Sequence, residues 1–271
     1  MKDLSKYFGM PIMLDEETGK LVSSDPDVSW EASSRKFSDK MIGLIADPSY
    51  DKKDEMYYDF YKAIVRNSDK EVFTSRELRY DSTVIFAGTA NGEFKKTAGH
   101  FHMPIPGKTC SYPELYSVIN GTAVFVMQKV DNYETTDTMT VEDLVLAVVH
   151  PGETIVIPPN YGHCTVNISD ETLVFINLVA EDSHNYYDGV KASVGMSAYV
   201  FKDGDSFTVR KNPNYKFNCE PRITAPTDCP ELGIVAGKTA YDAYLENPDL
   251  FLYLKDPEEK APYCLSMLKD I

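Results

Sequence analysis

Residues 154–179, TIVIPPNYGHCTVNISDETLVFINLV, contain three short runs rich in β-branched and aromatic residues: TIVI at 154–157, CTVNI at 164–168 and TLVFINLV at 172–179. Pro158-Pro159 and Ser169-Asp170 separate them. Proline cannot donate to a ladder and Ser-Asp favours turns, so the stretch predicts strands joined by tight connections. The same texture extends upstream through TVIFA at 83–87, LYSVI at 115–119, TAVFVMQ at 122–128 and LVLAVV at 144–149, broken by Asn-Gly and Pro-Gly. It continues to about Val209. Many short strands at close spacing predict an all-β sandwich or closed barrel, not a parallel sheet alternating with helices.

Outside this body the patterning changes. Between Asp51 and Asn67 the residues Met56, Tyr57, Phe60, Tyr61, Ile64 and Val65 recur at three- and four-residue steps, which predicts one amphipathic helix packed on the barrel. After Tyr215 comes a proline- and cysteine-rich stretch, CEPRITAPTDCPE, followed by two predicted short helices near Thr239–Glu246 and Pro248–Lys255. The expected organisation is an N-terminal extension over 1–70, a barrel over 71–215, and a C-terminal appendage over 216–271 that supports packing or assembly.

The chain has 271 residues, 43% of them hydrophobic, which is enough for a packed core and excludes disorder as the main state. A formal charge of −15 repels phosphate backbones and anionic lipid, arguing against nucleic acid or a membrane as partner. No window is apolar enough to span a membrane and the N-terminus, MKDLSKYFGM, has no apolar leader core, so a soluble, cytoplasmic protein is expected. The five cysteines form no C-x-x-C pair and suggest neither a disulfide framework nor a cysteine zinc site.

Only five histidines occur, and two of them stand in Gly99-His100-Phe101-His102. On a strand, side chains two apart share a face, so His100 and His102 can reach one metal ion while Phe101 packs behind. Downstream follow Glu114 and Gly121, then Gly152, Pro158, His163 and Asn167. This arrangement resembles the two motifs of the cupin superfamily, G-x5-H-x-H-x(3–4)-E-x6-G and G-x5-P-x-G-x2-H-x3-N. Phe94 and Asn160 stand where those motifs have glycine, and eleven residues, MPIPGKTCSYP, separate His102 from Glu114. Those eleven read as a rigid proline-containing loop at the barrel mouth. Three neutral imidazoles and a carboxylate suit one divalent transition metal per subunit. Donor softness does not choose among iron, manganese, nickel and zinc, of which iron is the expected ion.

Within the cupins, Thr97-Ala-Gly-His-Phe-His, Pro113-Glu-Leu-Tyr116, Ile157-Pro-Pro-Asn-Tyr-Gly-His163-Cys-Thr-Val-Asn167 and Ser183-His-Asn-Tyr-Tyr-Asp-Gly189 resemble the archaeal-type, metal-dependent glucose-6-phosphate isomerases. The resemblance covers roughly 7–215. It implies a jelly-roll barrel, a homodimer, and a ligand set of His100, His102, Glu114 and His163. It implies phosphate binding at Thr97, Gly99 and Thr83, and sugar contacts from His184 and from one of Tyr186 and Tyr187, with Tyr186 matched here, while Tyr116, two after Glu114, shares its face and lies over the same cavity. Glu114, Tyr116 and His184 are the expected catalytic residues. Asn160 stands where the family has a tyrosine. His150, outside both motifs, reads as a strand-end residue, and Cys164 as pointing away from the metal. The implied reaction interconverts glucose 6-phosphate and fructose 6-phosphate, by a cis-enediolate or a direct hydride shift. Alternatives on the same barrel are a mannose phosphate isomerase, a dioxygenase, or a non-catalytic sugar-binding cupin.

Overall fold

A computed structural model describes all residues, 1–271. In chain order, the strands that position the site are β1 (Ala32–Phe37), β2 (Met56–Lys62), β3 (Leu78–Ile85), β4 (Phe101–His102), β5 (Glu114–Asn120), β6 (Ala123–Val130) and β7 (Thr140–Val149). They continue as β8 (Thr154–Ile157), β9 (Tyr161–Asn167), β10 (Leu173–Ala180), β11 (Asn185–Tyr186), β12 (Arg222–Pro226) and β13 (Leu268–Asp270). One antiparallel sheet runs β8-β5-β10-β3-β2-β1, and the other β9-β6-β7-β12-β13. The expected all-β, jelly-roll architecture is present: the sheets pack face to face through Tyr116, Phe125 and Phe175, whose ring centroids lie 5.1–6.0 Å apart.

The strand period of two decides what each sheet shows to the interior. On β3 the cavity-facing residues are Arg79, Asp81 and Thr83; on β10 they are Phe175, Asn177 and Val179; on β5, Glu114 and Tyr116. The second sheet is buried on both faces. Phe125 and Met127 join the main core, while Val124 and Val126 pack outward against Val190, Met196 and Val200. Its strands therefore read as unbroken apolar runs.

Residues 51–67 do not form the predicted helix. Their centre is strand β2, hydrogen-bonded between β1 and β3, with Tyr57, Asp59 and Tyr61 buried and Tyr58 and Phe60 lining the cavity. A run as dense in aromatics as MYYDFYK satisfies both periods, and cross-strand packing of Tyr and Phe on a pleated surface prevails. Strands β1 and β2 thus complete the barrel sheet from within the stretch 1–70. The helices near it are short, Ser5–Phe8 and Lys70–Thr74.

The C-terminal stretch contains a helix at Ala240–Glu246 and a 3-10 segment at Pro248–Leu254, where two short helices are predicted. Thr239 caps the first, its hydroxyl accepting from the Asp242 N–H at 3.0 Å. Tyr241, Tyr244, Phe251 and Leu254 enter the main core, with the Tyr244 ring 4.5 Å from Phe73. The stretch also adds β12 parallel to β7, so it extends the second sheet as well as covering it. No helix is long and apolar enough to cross a membrane.

Candidate metal centre and substrate cavity

The segment before β4 runs antiparallel along β9, pairing Lys96 with Val166 and His100 with His163. That register places His100, His102 and His163 on one face. Phe101 turns to the other, stacking on Tyr133 at 4.9 Å. Gly99 precedes the pair with φ +81°, and a Cβ there would meet Met196 Sδ at 2.6 Å and Cys164 Cβ at 3.2 Å, so only glycine lets the backbone enter.

Glu114 opens β5 and arrives from the opposite sheet. The ligand atoms of His100, His102, Glu114 and His163 all lie within 4.8 Å of one another. Glu114 Oε2 is 3.1 Å from His102 Nε2 and 3.3 Å from His163 Nε2, and the Nε2 atoms of His100 and His102 are 3.2 Å apart. His102 Nδ1 lies 2.8 Å from the Tyr112 carbonyl, which can only accept; Nδ1 therefore carries the proton and Nε2 presents its lone pair. Asn177 donates to Glu114 Oε1 at 2.6 Å, leaving Oε2 to face the imidazoles.

The electrostatics agree with a ligand role. Burial, then the neighbouring histidines, push the His100 pKa well below its usual value. Burial likewise lowers that of His163. Burial opposes ionisation of Glu114, but the close approach of His102 and His163 outweighs it and holds the carboxylate pKa well below the ordinary range. Neutral rings converging on an anionic oxygen form a buried donor set that a divalent cation fits.

Beside this set lies a cavity of about 290 Å³. Thr83, Thr97, Gly99 and Tyr116 line it together with the four metal-type residues. The Tyr116 hydroxyl is 3.1 Å from His163 Nε2. Thr97 Oγ1 accepts from the Thr165 N–H at 3.0 Å, which leaves its own O–H free to donate. Two residues matched from the sequence stand elsewhere. His184 is exposed and contributes only a main-chain carbonyl to Met103 N–H. Tyr186 pairs with Phe101 across β4 and β11 and turns outward with it, into the second apolar cluster. Strand alternation gives the cavity Asn185 and Tyr187 instead, and the Tyr187 ring sits 5.5 Å from His100.

Asn160 adopts φ +66°, a left-handed conformation that asparagine tolerates better than most residues, which explains how it replaces the motif glycine. It accepts from the Ser111 N–H at 2.8 Å and so ties the 103–113 loop to β9. Cys164 lies behind His163 among Val124 and Val126, its pKa pushed up to about 12 by burial, and His150 is exposed at the end of β7. The sequence reading missed Ser34, Lys36 and Tyr58 from β1 and β2, and Asn177 and Thr165. Tyr58 was hidden by the helix assignment over 51–67; Ser34, Lys36 and Asn177 belong to no motif, the only signal of Asn177 being one amide in an apolar strand.

Three imidazoles and a carboxylate meeting inside a jelly-roll barrel form a cluster that could hold a metal ion, the arrangement of a metal-binding cupin. The sequence model of glucose-6-phosphate isomerase matches residues 34–216, more than half of the chain, and the chain belongs to that family. It is 27% identical over 210 residues to the glucose-6-phosphate isomerase of Pyrococcus furiosus, covering 76% of this chain and 96% of that one. It is 26% identical to that of Thermococcus litoralis, covering 76% and 95%. Among solved structures, oxalate decarboxylase from Bacillus subtilis aligns with a TM-score of 0.32 at 18% identity, over 48% of this chain and 27% of that one.

Proposed function

We propose that the protein interconverts glucose 6-phosphate and fructose 6-phosphate at a divalent metal held by His100, His102, Glu114 and His163. The observation that carries this reading is the convergence of four ligand atoms within 4.8 Å beside a cavity whose wall also bears the hydroxyls of Thr83 and Thr97, in a chain of this family. When bound, the metal supplies Lewis acidity toward the O1/O2 pair of the sugar. Iron is the ion we propose.

The chain's own residues do the rest. Thr83, Thr97 and the Gly99 N–H face the cavity as donors for the phosphate, and glycine permits close approach there. Both candidate routes, a proton abstracted from C2 and returned to C1 or a hydride passed directly between them, also move a proton from O2 to O1. Glu114 is the carboxylate for that transfer, and the Tyr116 hydroxyl, beside His163, is the neighbouring donor. Tyr187 takes the sugar-facing position for which Tyr186 was matched. We place the enzyme in the cytoplasm as a homodimer, in line with the family resemblance; a mass measurement in solution checks the assembly.

A coupled assay on fructose 6-phosphate tests the activity. Turnover should vanish on extended chelation and return with added divalent iron. Full turnover in protein shown by elemental analysis to be metal-free, or turnover of mannose 6-phosphate alone, would sink the reading.

A further inference from the structure

The cavity wall bears two long cationic side chains, and only one is already matched by a carboxylate. Arg79 is held by Asp81, its Nε 2.8–2.9 Å from both carboxylate oxygens. Arg35 is held by Asp59, at 2.7 and 2.6 Å, but alternation along β1 turns it to the outer face. Its neighbour Lys36 therefore points inward, half-buried, and lines the cavity with no carboxylate in ion-pair range. In a chain of net charge −15, a free ammonium facing a cavity is a local exception to the prevailing field.

The register shows which part of a substrate it would meet. Glu114 opens β5 beside Ile157, and along the same face of the sheet follow Tyr116, Asn177 and Asp81. The next row is Phe175, Thr83, Phe60 and Ser34, each directly opposite the next. Lys36 lies beyond it, opposite Tyr58. Glu114 and Lys36 thus stand at opposite ends of the lined surface, with Thr83 and Ser34 on the lysine side. A sugar phosphate with its reacting carbons at Glu114 carries its anionic group at the far end of its carbon chain, and Lys36 is the unmatched cation on the wall of the cavity that would hold it.

We infer that Lys36 supplies the positive charge that binds the phosphate of the substrate, alongside the neutral donors of Thr83 and Thr97. The inference rests on the isomerase reading for the identity of the sugar but not for the anion itself. A neutral cradle discriminates weakly between a phosphate and a hydroxyl, whereas an unpaired ammonium adds selectivity for a dianion and makes binding salt-dependent.

The test is Lys36→Gln beside Lys36→Arg, with inorganic phosphate as probe. Lys36→Gln should raise the KM for fructose 6-phosphate and the inhibition constant of phosphate about ten- to thirtyfold, the range of a charge-assisted hydrogen bond discounted for partial exposure. Turnover at saturation and metal content should stay within about twofold. Lys36→Arg should recover most of the loss, and raising ionic strength should weaken phosphate binding in wild type more than in Lys36→Gln. Unchanged phosphate inhibition in Lys36→Gln, with Thr97→Val impaired, would put the anion in the threonine–glycine cradle alone and end the inference. If wild type fails to turn over the sugar at all, the isomerase reading falls, and calorimetric titration of phosphate into wild type and Lys36→Gln still decides the role of Lys36: tighter binding by wild type upholds it, equal binding refutes it.

Discussion

The two ends of the cavity are built on opposite rules. Around Glu114 the polar atoms are already engaged: Asn177 on Oε1, the imidazoles on Oε2, and the Tyr112 carbonyl on His102 Nδ1. Around Lys36 the side chains of Ser34, Lys36 and Thr83 face open space from the wall of the same cavity. A fixed end suits a metal, whose coordination geometry is lost if the ligands wander, and a site of this kind depends on the groups that orient its ligands. An end with idle donors suits something that arrives and leaves. This division predicts that catalysis and recognition are separable by mutation.

Glu114→Gln should have the largest effect, lowering turnover about a hundred- to ten-thousandfold with metal content falling less, because the amide cannot accept a proton. Turnover falling only in step with measured metal would reduce Glu114 to a ligand. Thr97→Val, in the expected phosphate cradle, should raise KM by roughly ten- to a hundredfold with turnover nearly kept. A turnover defect instead would erase the division between the two ends. Asn177→Ala tests whether the fixed end is fixed from behind: metal affinity, read by competition with a chelator, should drop about tenfold. No change would show that the imidazoles alone orient Glu114. The smallest effect should come from His184→Ala, under about twofold in any steady-state constant, because the ring is exposed and off the cavity. A larger loss would restore the role the sequence match assigns to it.

How legible each end was follows from its chemistry. Metal ligands must be particular residue types at strand spacing, so His100, His102 and His163 stand out in a chain with five histidines, and the apolar runs of β5 to β10 mark the barrel. Donors for a phosphate can be almost any polar residue, and Lys36 and Ser34 carry no such signature. The strand that pairs with theirs was concealed as well, because MYYDFYK fits a helical and a strand period equally, and only pairing with β1 and β3 settles which. Tyr186 and Tyr187 show the limit most sharply. One position along a strand exchanges inside for outside, and a doubled residue in the sequence leaves that parity open until Tyr186 is seen opposite Phe101.

Strand β10 lies between β5 and β3 in the finished sheet, yet it follows all four metal-type residues in the chain. A ribosome adding about 5–20 residues per second exposes His163 roughly a second or more before the strand that bears Asn177 is complete. During that interval the nascent chain has its imidazoles and Glu114 but not the wall that turns the carboxylate toward them. Only after β10 has inserted beside β5 can Asn177 grip Oε1, and β1, β2 and β3, made first, find their place in the sheet through it. Synthesis thereby separates the appearance of the four metal-type residues from the assembly of the wall that orients Glu114.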